Sequence, residues 1–258
     1  MDKFRGFNIQ VNPDKPHVTV HRIKTVAEYG ANVVRIQLND MESRLPDMEH
    51  PQEYEAWLNA KLNAIAVASE AGKQFGVKII ISQHQPFGGT YRNWRGKLKH
   101  RLYNIHSYQD SFVEDWSRIA WEFAQDPTII GYDLLNEPLA RAGRYMPLML
   151  RTARSIRVID QTKKIIVSTP HGNPAKIKTL DRYVAEMKQI GKMWATVHMY
   201  WPMNITHQGV GRFKIGRRYP SMKVNSEQLQ NYMAKVQLWR KRWRIPVFVG
   251  EFSCASGS

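Results

Sequence analysis

The sequence predicts an α/β fold, a TIM (β/α)8-type barrel in which seven strands are recognisable and the C-terminal end is incomplete. Three observations predict it. Short apolar runs alternate seven times with stretches of helical periodicity, the pattern of right-handed βαβ units feeding one parallel sheet. The fourth run, 129–135, is apolar nearly throughout, as expected of a strand covered on both faces. The fourth and seventh runs each deliver a glutamate at the C-terminal end, Glu137 and Glu251, where a barrel of this kind builds its active site.

In order, residues 4–11 alternate well enough for a first strand, and helical spacing follows over 20–29 until Gly30 closes it. Residues 32–38 form the second strand. A long helix over 52–75 carries Tyr54, Trp57, Leu58, Leu62, Ile65 and Ala68 on one face. Residues 77–82 are the third strand, and the loop 83–101 after it is long, aromatic and basic. Ser107 is placed to cap a helix running to 124. The fourth strand, 129–135, is stopped by Pro138. Helix over 146–159, a fifth strand over 164–168, helix within 174–189 and a sixth strand over 193–200 follow. A helix over 226–243 and a seventh strand over 245–251 complete the pattern.

Residues 1–258 therefore read as a single catalytic barrel domain with no linker, lacking the last helix, strand and helix. On this reading the first and seventh strands keep open edges that offer a route to self-association. The 43% hydrophobic content excludes a mainly disordered chain. No apolar run approaches the roughly 18 residues of a membrane span, and the N-terminus lacks the apolar core of a signal peptide. Secretion is the expected destination, with a cytoplasmic home still open. Cys254 is the single cysteine, which excludes an internal disulfide and a cysteine-rich metal site. The 38 basic and 22 acidic residues leave a net charge of +16, which favours anionic polymers, but no nucleic-acid-binding motif accompanies it.

A carboxylate just beyond an apolar strand is costly unless it is paired, hydrogen-bonded or used, so Glu137 needs a partner, and Glu251 supplies one. Arg35, His84, Asn136, His198 and Tyr200 fall at the ends of other strands and converge on the same mouth. Each has an ordinary structural use as well: an ion pair, a turn or a packing aromatic. Seven other histidines (His17, His21, His50, His100, His106, His171 and His207) show no paired metal-ligand spacing, and no glycine-rich phosphate loop is present. No metal and no cofactor are expected.

Val34-Arg35-Ile36, Gln83-His84, Leu135-Asn136-Glu137-Pro138, Val197-His198-Met199-Tyr200 and Gly250-Glu251-Phe252 resemble the motifs of glycoside hydrolase family 5, the cellulase family of the retaining barrel clan A. The resemblance implies Glu137 as acid/base and Glu251 as nucleophile, two carboxyls about 5–5.5 Å apart acting by double displacement. It implies Arg35 bonding the nucleophile, Asn136 bonding the sugar 2-hydroxyl, Tyr200 beside the nucleophile, and His84 and His198 lining the catalytic subsite. It further implies a retaining endo-β-1,4-glucanase acting on cellulose or mixed-linkage β-glucan, with β-mannanase, xylanase and β-glucosidase as alternatives within the chemistry. A non-catalytic carbohydrate-binding fragment is the alternative outside it. Sugar rings stack on aromatic faces, so Trp94 and Trp201, with Phe87 and Tyr91, are candidates for further subsites. Trp57, Trp116, Trp121, Trp239 and Trp243 fall in helices and are expected to pack. Two basic clusters, Arg92 to Arg101 and Arg212 to Arg218, lie in loops on the catalytic side, where they would suit an acidic polysaccharide or a solvated surface.

Overall fold

The structure is a computed structural model that describes residues 3–39, 50–92 and 98–253, with 90–92 and 98–100 described by backbone alone. Its strands are β1 (Gly6–Ile9), β2 (Val33–Leu38), β3 (Lys78–Gln83), β4 (Thr90–Arg92), β5 (Leu98–His100), β6 (Ile129–Asp133), β7 (Lys164–Ser168), β8 (Met193–His198) and β9 (Val247–Glu251). The α-helices are α1 (Pro16–Glu28), α2 (Pro51–Phe75), α3 (His106–Phe123), α4 (Ala142–Ile159), α5 (Val184–Ile190), α6 (Met203–Thr206) and α7 (Ser226–Trp243). Seven strands form one parallel sheet in the order β1-β2-β3-β6-β7-β8-β9, curled into a nearly closed barrel with the helices outside, and β4 and β5 form a small antiparallel hairpin. Among the described residues, no helix is long and apolar enough to cross a membrane.

Strand alternation sorts the side chains into two environments. Val34, Ile36, Ile79, Ile81, Ile165, Val167, Ala195 and Val197 face the helices and join the large core, where Phe112, Trp116 and Tyr145 are fully buried. Val33, Ile80 and Ile166 face the other way and pack with Phe4, Ile130, Trp194 and Phe248 as an apolar plug in the barrel lumen. One step further along β2, β3 and β7 the same inward register brings Arg35, Ser82 and Ser168, all buried. The lumen is therefore dry below and polar above, and the strands read as unbroken apolar runs only over their lower turns.

Several local expectations are corrected. Helix α1 starts at Pro16, because a proline in the first turn needs no donor there. Helix α4 starts at Ala142 and carries Pro147 inside it, so the proline does not mark its beginning. Ser107 does not cap α3: Ile105 occupies that position with no side-chain bond. Residues 174–183 are 3-10 helix before α5 begins. Trp116 and Trp239 pack as expected, their indoles donating to the Leu134 carbonyl at 3.1 Å and to Asp181 Oδ1 at 2.7 Å, but Trp121 is 76% exposed on the outer face of α3.

Strands β1 and β9 are the sheet's edges and do not pair with each other. The side chain of Asn8 crosses between them, donating to the Gly250 carbonyl at 3.0 Å. A cleft of about 1080 Å³ opens beside this bond, walled by Phe7, Tyr29, Ala31, Phe248 and Phe252 and reaching Arg35 and Glu251.

The turn from α4 into β7 shows how a buried carboxylate is held on the opposite side of the barrel. Asp160 accepts from Tyr132 Oη at 2.9 Å, from Thr162 N at 2.7 Å, from Thr162 Oγ1 at 2.8 Å and from Lys163 N at 3.1 Å. Burial alone would raise its pKa, but these bonds from Thr162, Lys163 and Tyr132 outweigh burial and hold it below the ordinary range. A carboxylate lowered in the folded state stabilises above its unfolded pKa and loses that contribution as pH falls through the folded value. Asp160→Asn is expected to cost about 1–3 kcal/mol in urea unfolding at neutral pH, with the gap to the parent narrowing below about pH 4. A gap independent of pH would show that the charge on Asp160 plays no part.

Candidate active site

The site is organised on Arg35, which is 2% exposed at the middle of β2. Its Nε donates to Asp133 Oδ2 at 2.8 Å, and Nη2 lies 2.6 Å from the same oxygen. Nη1 donates to Glu251 Oε1 at 2.8 Å and to Asn8 Oδ1 at 3.2 Å, and Nη2 donates to Asn136 Oδ1 at 2.8 Å. Each of the three guanidinium nitrogens thus donates at least one hydrogen bond, four in all, and two carboxylates balance the charge, as a buried cation requires. Ser82 Oγ also donates to Asp133 Oδ2, at 3.0 Å. Asp133 and Asn8 were not among the residues singled out from the sequence. The signal was there: Asp133 is the one charged residue in the apolar run 129–135.

Glu251 ends β9, and its two oxygens have different partners. Oε1 takes the bond from Arg35, and Oε2 accepts from Tyr200 Oη at 3.0 Å. Burial, then the Glu251 charge and this hydrogen bond, push the Tyr200 hydroxyl well above its ordinary range, so it stays protonated and donates. Glu137 follows β6 with φ +41, in the left-handed region that costs a non-glycine residue roughly 1–2 kcal/mol. Its Oε1 lies 2.7 Å from His198 Nδ1, and the same nitrogen lies 3.5 Å from Glu251 Oε2.

His198 is positioned by two close approaches. A Cβ on Gly172 would meet its ring at 2.8 Å, and a Cβ on Gly250 would meet His198 Nε2 at 3.0 Å and Thr196 Oγ1 at 2.8 Å. An irregularity between Val197 and His198 brings His198 into register with Glu251. With its proton on Nδ1 the imidazole donates to Glu137. His84 follows β3, and burial, then the charges of Arg35 and His198, drive its pKa well below the usual value, so it is neutral. One oxygen of each glutamate and one ring nitrogen of His198 all lie within 4.8 Å of one another. These are also donor types that bind a divalent cation. The 2.7 Å contact between His198 and Glu137 is a hydrogen-bond length, shorter than two ligands about 2.0–2.2 Å from a tetrahedral zinc would sit from each other.

Of the residues expected at the mouth, Arg35, Asn136, Tyr200 and Glu251 are hydrogen-bonded together, Glu137 and His198 form a second bonded pair 3.5 Å from Glu251, and His84 stands beside them. Trp201 stacks on Tyr232 at 4.8 Å with the rings 11° apart. Phe87 is held in the packing by Tyr54 at 5.3 Å and Tyr108 at 5.0 Å, which leaves its ring little freedom to meet a sugar. Trp94, Arg95 and Lys97 lie outside the described residues, as do the side chains of Tyr91, Arg92 and Lys99.

Known proteins resemble this chain in sequence and in fold. Endoglucanase C of Acetivibrio thermocellus is 24% identical over 197 residues, covering 74% of this chain and 52% of that protein. An endoglucanase of Paenibacillus polymyxa is 27% identical over 156 residues, covering 54% and 36% respectively. The chain thus spans about half the length, or less, of these curated relatives. A crystal structure described as a glycoside hydrolase superposes with a TM-score of 0.73 at 22% identity, covering 98% of this chain and 79% of that one. XacCel5A, solved in complex with cellopentaose, superposes with a TM-score of 0.66 at 15% identity, covering 99% and 80%. The sequence model described as Cellulase (glycosyl hydrolase family 5) matches residues 3–258, and the chain belongs to that family.

Proposed function

We propose that the protein is a retaining glycoside hydrolase that cuts β-1,4-glucan, as cellulose or mixed-linkage β-glucan, within the chain. The observation that carries this reading is the closeness of Glu137 and Glu251, one oxygen of each lying within 4.8 Å of the other. Inverting enzymes hold their carboxyls about 6.5–9.5 Å apart to admit a water, whereas retaining ones keep them at about 5–5.5 Å. The endoglucanase relatives and the cellopentaose bound to XacCel5A support the substrate class. A polymer of this size is met outside the cell, so secretion belongs to the same reading.

In the first step Glu251 Oε2 or Oε1 attacks the anomeric carbon while Glu137 passes its proton to the glycosidic oxygen, releasing the leaving sugar and forming a glycosyl ester. In the second, Glu137 takes a proton from water, whose oxygen attacks the same carbon and frees the Glu251 carboxylate. Arg35 and Tyr200 aim the Glu251 oxygens, and His198 aims Glu137. Because Arg35 donates to Asn136 Oδ1, the Asn136 amide nitrogen is left to donate, and it suits the sugar 2-hydroxyl, a contact that strengthens in the transition state. The cleft between β1 and β9 meets Glu251, and its volume of about 1080 Å³ is large enough for sugar units.

Reducing-sugar release from barley β-glucan is expected for the parent and lost in Glu251→Ala, while Glu137→Gln falls by about 10²–10⁴-fold, the worth of general acid–base catalysis. Circular dichroism confirms folding, and NMR of the first-formed product must show the starting anomeric configuration. A folded parent that binds β-glucan without releasing sugar would favour the non-catalytic carbohydrate-binding reading.

Asp133 touches no substrate on this scheme and acts through Arg35. Asp133→Asn is expected to lower kcat with KM nearly unchanged. Asp133→Ala, which takes from the buried Arg35 one of its two carboxylate partners, should cost about 3–5 kcal/mol of stability. An unaltered kcat in folded Asp133→Asn would remove it from the machinery.

The chemistry requires only water, so dialysis against EDTA should leave turnover intact. Activity lost on chelation and restored by metal would contradict the two-glutamate scheme.

A further inference from the structure

From Met199 to Asn225 the chain carries Arg212, Lys214, Arg217, Arg218 and Lys223 and no aspartate or glutamate. All five cations are exposed. Among the described residues, none of Arg212, Lys214 and Arg218 pairs with a carboxylate. The segment leaves the C-terminal end of β8, the end of the barrel at which Glu137 and Glu251 lie.

It is a built loop, fastened to the site. The buried side chain of Gln208 grips the backbone of Arg217, donating from Nε2 to its carbonyl at 2.8 Å and accepting from its N–H at 2.6 Å. Gly209 N donates to the Phe213 carbonyl at 2.8 Å, closing the turn that presents Arg212. Thr206 Oγ1 donates to the Tyr200 carbonyl at 2.6 Å. A run of rings then links loop to nucleophile: the Arg212 guanidinium lies 5.4 Å from the Phe213 ring, Phe213 packs on His207 at 6.1 Å, His207 on Tyr200 at 5.2 Å, and Tyr200 bonds Glu251.

We propose that this loop is an anion-recognising rim that selects β-glycan chains bearing carboxylates, such as uronate-containing or carboxylated glucans. Like charges gathered on one anchored loop repel one another, and an anionic chain entering the mouth relieves that repulsion. Guanidinium groups fit carboxylates as paired donors, and a field of one sign at a cleft concentrates an oppositely charged substrate there. The inference rests on the hydrolase reading for its turnover measurement and on binding alone for its second measurement.

The test compares carboxymethylcellulose with hydroxyethylcellulose, two substituted β-1,4-glucans that differ in charge. The ratio of kcat/KM on the first to that on the second should fall at least about tenfold as ionic strength rises from about 0.01 M to about 1 M, where the screening length shrinks from about 30 Å to about 3 Å. The variant Arg212→Gln/Lys214→Gln/Arg218→Gln should show the low ratio at every salt concentration. A control, Lys235→Gln/Arg240→Gln/Lys241→Gln on α7, removes the same charge from outside the rim and should keep the parent's ratio. A ratio unchanged in the loop variant, or lost equally in the control, overturns the proposal. Affinity electrophoresis through gels carrying each polymer reads binding without turnover. A folded parent inactive on both polymers would sink the hydrolase reading, and salt-sensitive, loop-dependent retardation by carboxymethylcellulose would still uphold the rim. Equal retardation by both polymers would overturn it.

Discussion

A buried arginine with every guanidinium nitrogen bonded is the constraint on which the rest of this structure depends. Taking a guanidinium out of water costs several kcal/mol, and only matching charge together with complete hydrogen bonding makes the position tenable. Arg35 meets that requirement with acceptors from three other strands or the turns that follow them: Asn8 on β1, Asp133 and Asn136 on or after β6, and Glu251 on β9. A slip of one residue in any of these strands would turn its acceptor toward the helices and leave the cation short. The energetics of one side chain therefore fix the register of the barrel and the geometry of the pair proposed to carry the chemistry.

Much of this was legible because the determinants are local. Seven apolar runs, the helices between them and the glutamates past two strand ends can be read from periodicity and position. The polar layer above the plug was also visible as Arg35, His84, Asn136, His198 and Tyr200. What could not be read depends on partners distant in sequence. Asp133 lies 98 residues from Arg35, and a period-2 reading cannot tell an acid facing a buried cation from one facing solvent. Asn8 takes its meaning from Gly250, 242 residues away. The seats of His198 are two glycines, Gly172 and Gly250, whose value lies in the atoms they lack. Trp121 shows the opposite failure: its helical position was read as packing, yet it falls on the outer face of α3.

Glu137 adds a conflict between backbone preference and the role proposed for it. A left-handed residue in a turn is ordinarily glycine or asparagine, and glutamate there is strained. The strain is offset by the bond to His198 and by the packing of the adjoining strand, so the structure keeps a carboxyl where the backbone alone would not favour one. Strain at a carboxylate that has an oxygen of a second carboxylate within 4.8 Å supports the acid/base role proposed for Glu137.

The second carboxylate is held in a different manner. Glu251 belongs to an edge strand whose neighbour lies on one side only, and β9 is among the less buried strands of the sheet. On its open side, the contacts that restrain it are the bond from Asn8 to the Gly250 carbonyl and the bond from Arg35 to Oε1. Edge strands open at lower free energy than central ones because fewer ladder bonds and apolar contacts resist them. The separation of the two carboxyls therefore rests on a polar clasp across the cleft more than on sheet pairing. Loosening that clasp would alter the geometry of the pair before it unfolded the barrel. The side chains that close the gap between β1 and β9 are thus part of the active-site geometry, although Asn8 and Gly250 perform none of the proposed chemistry.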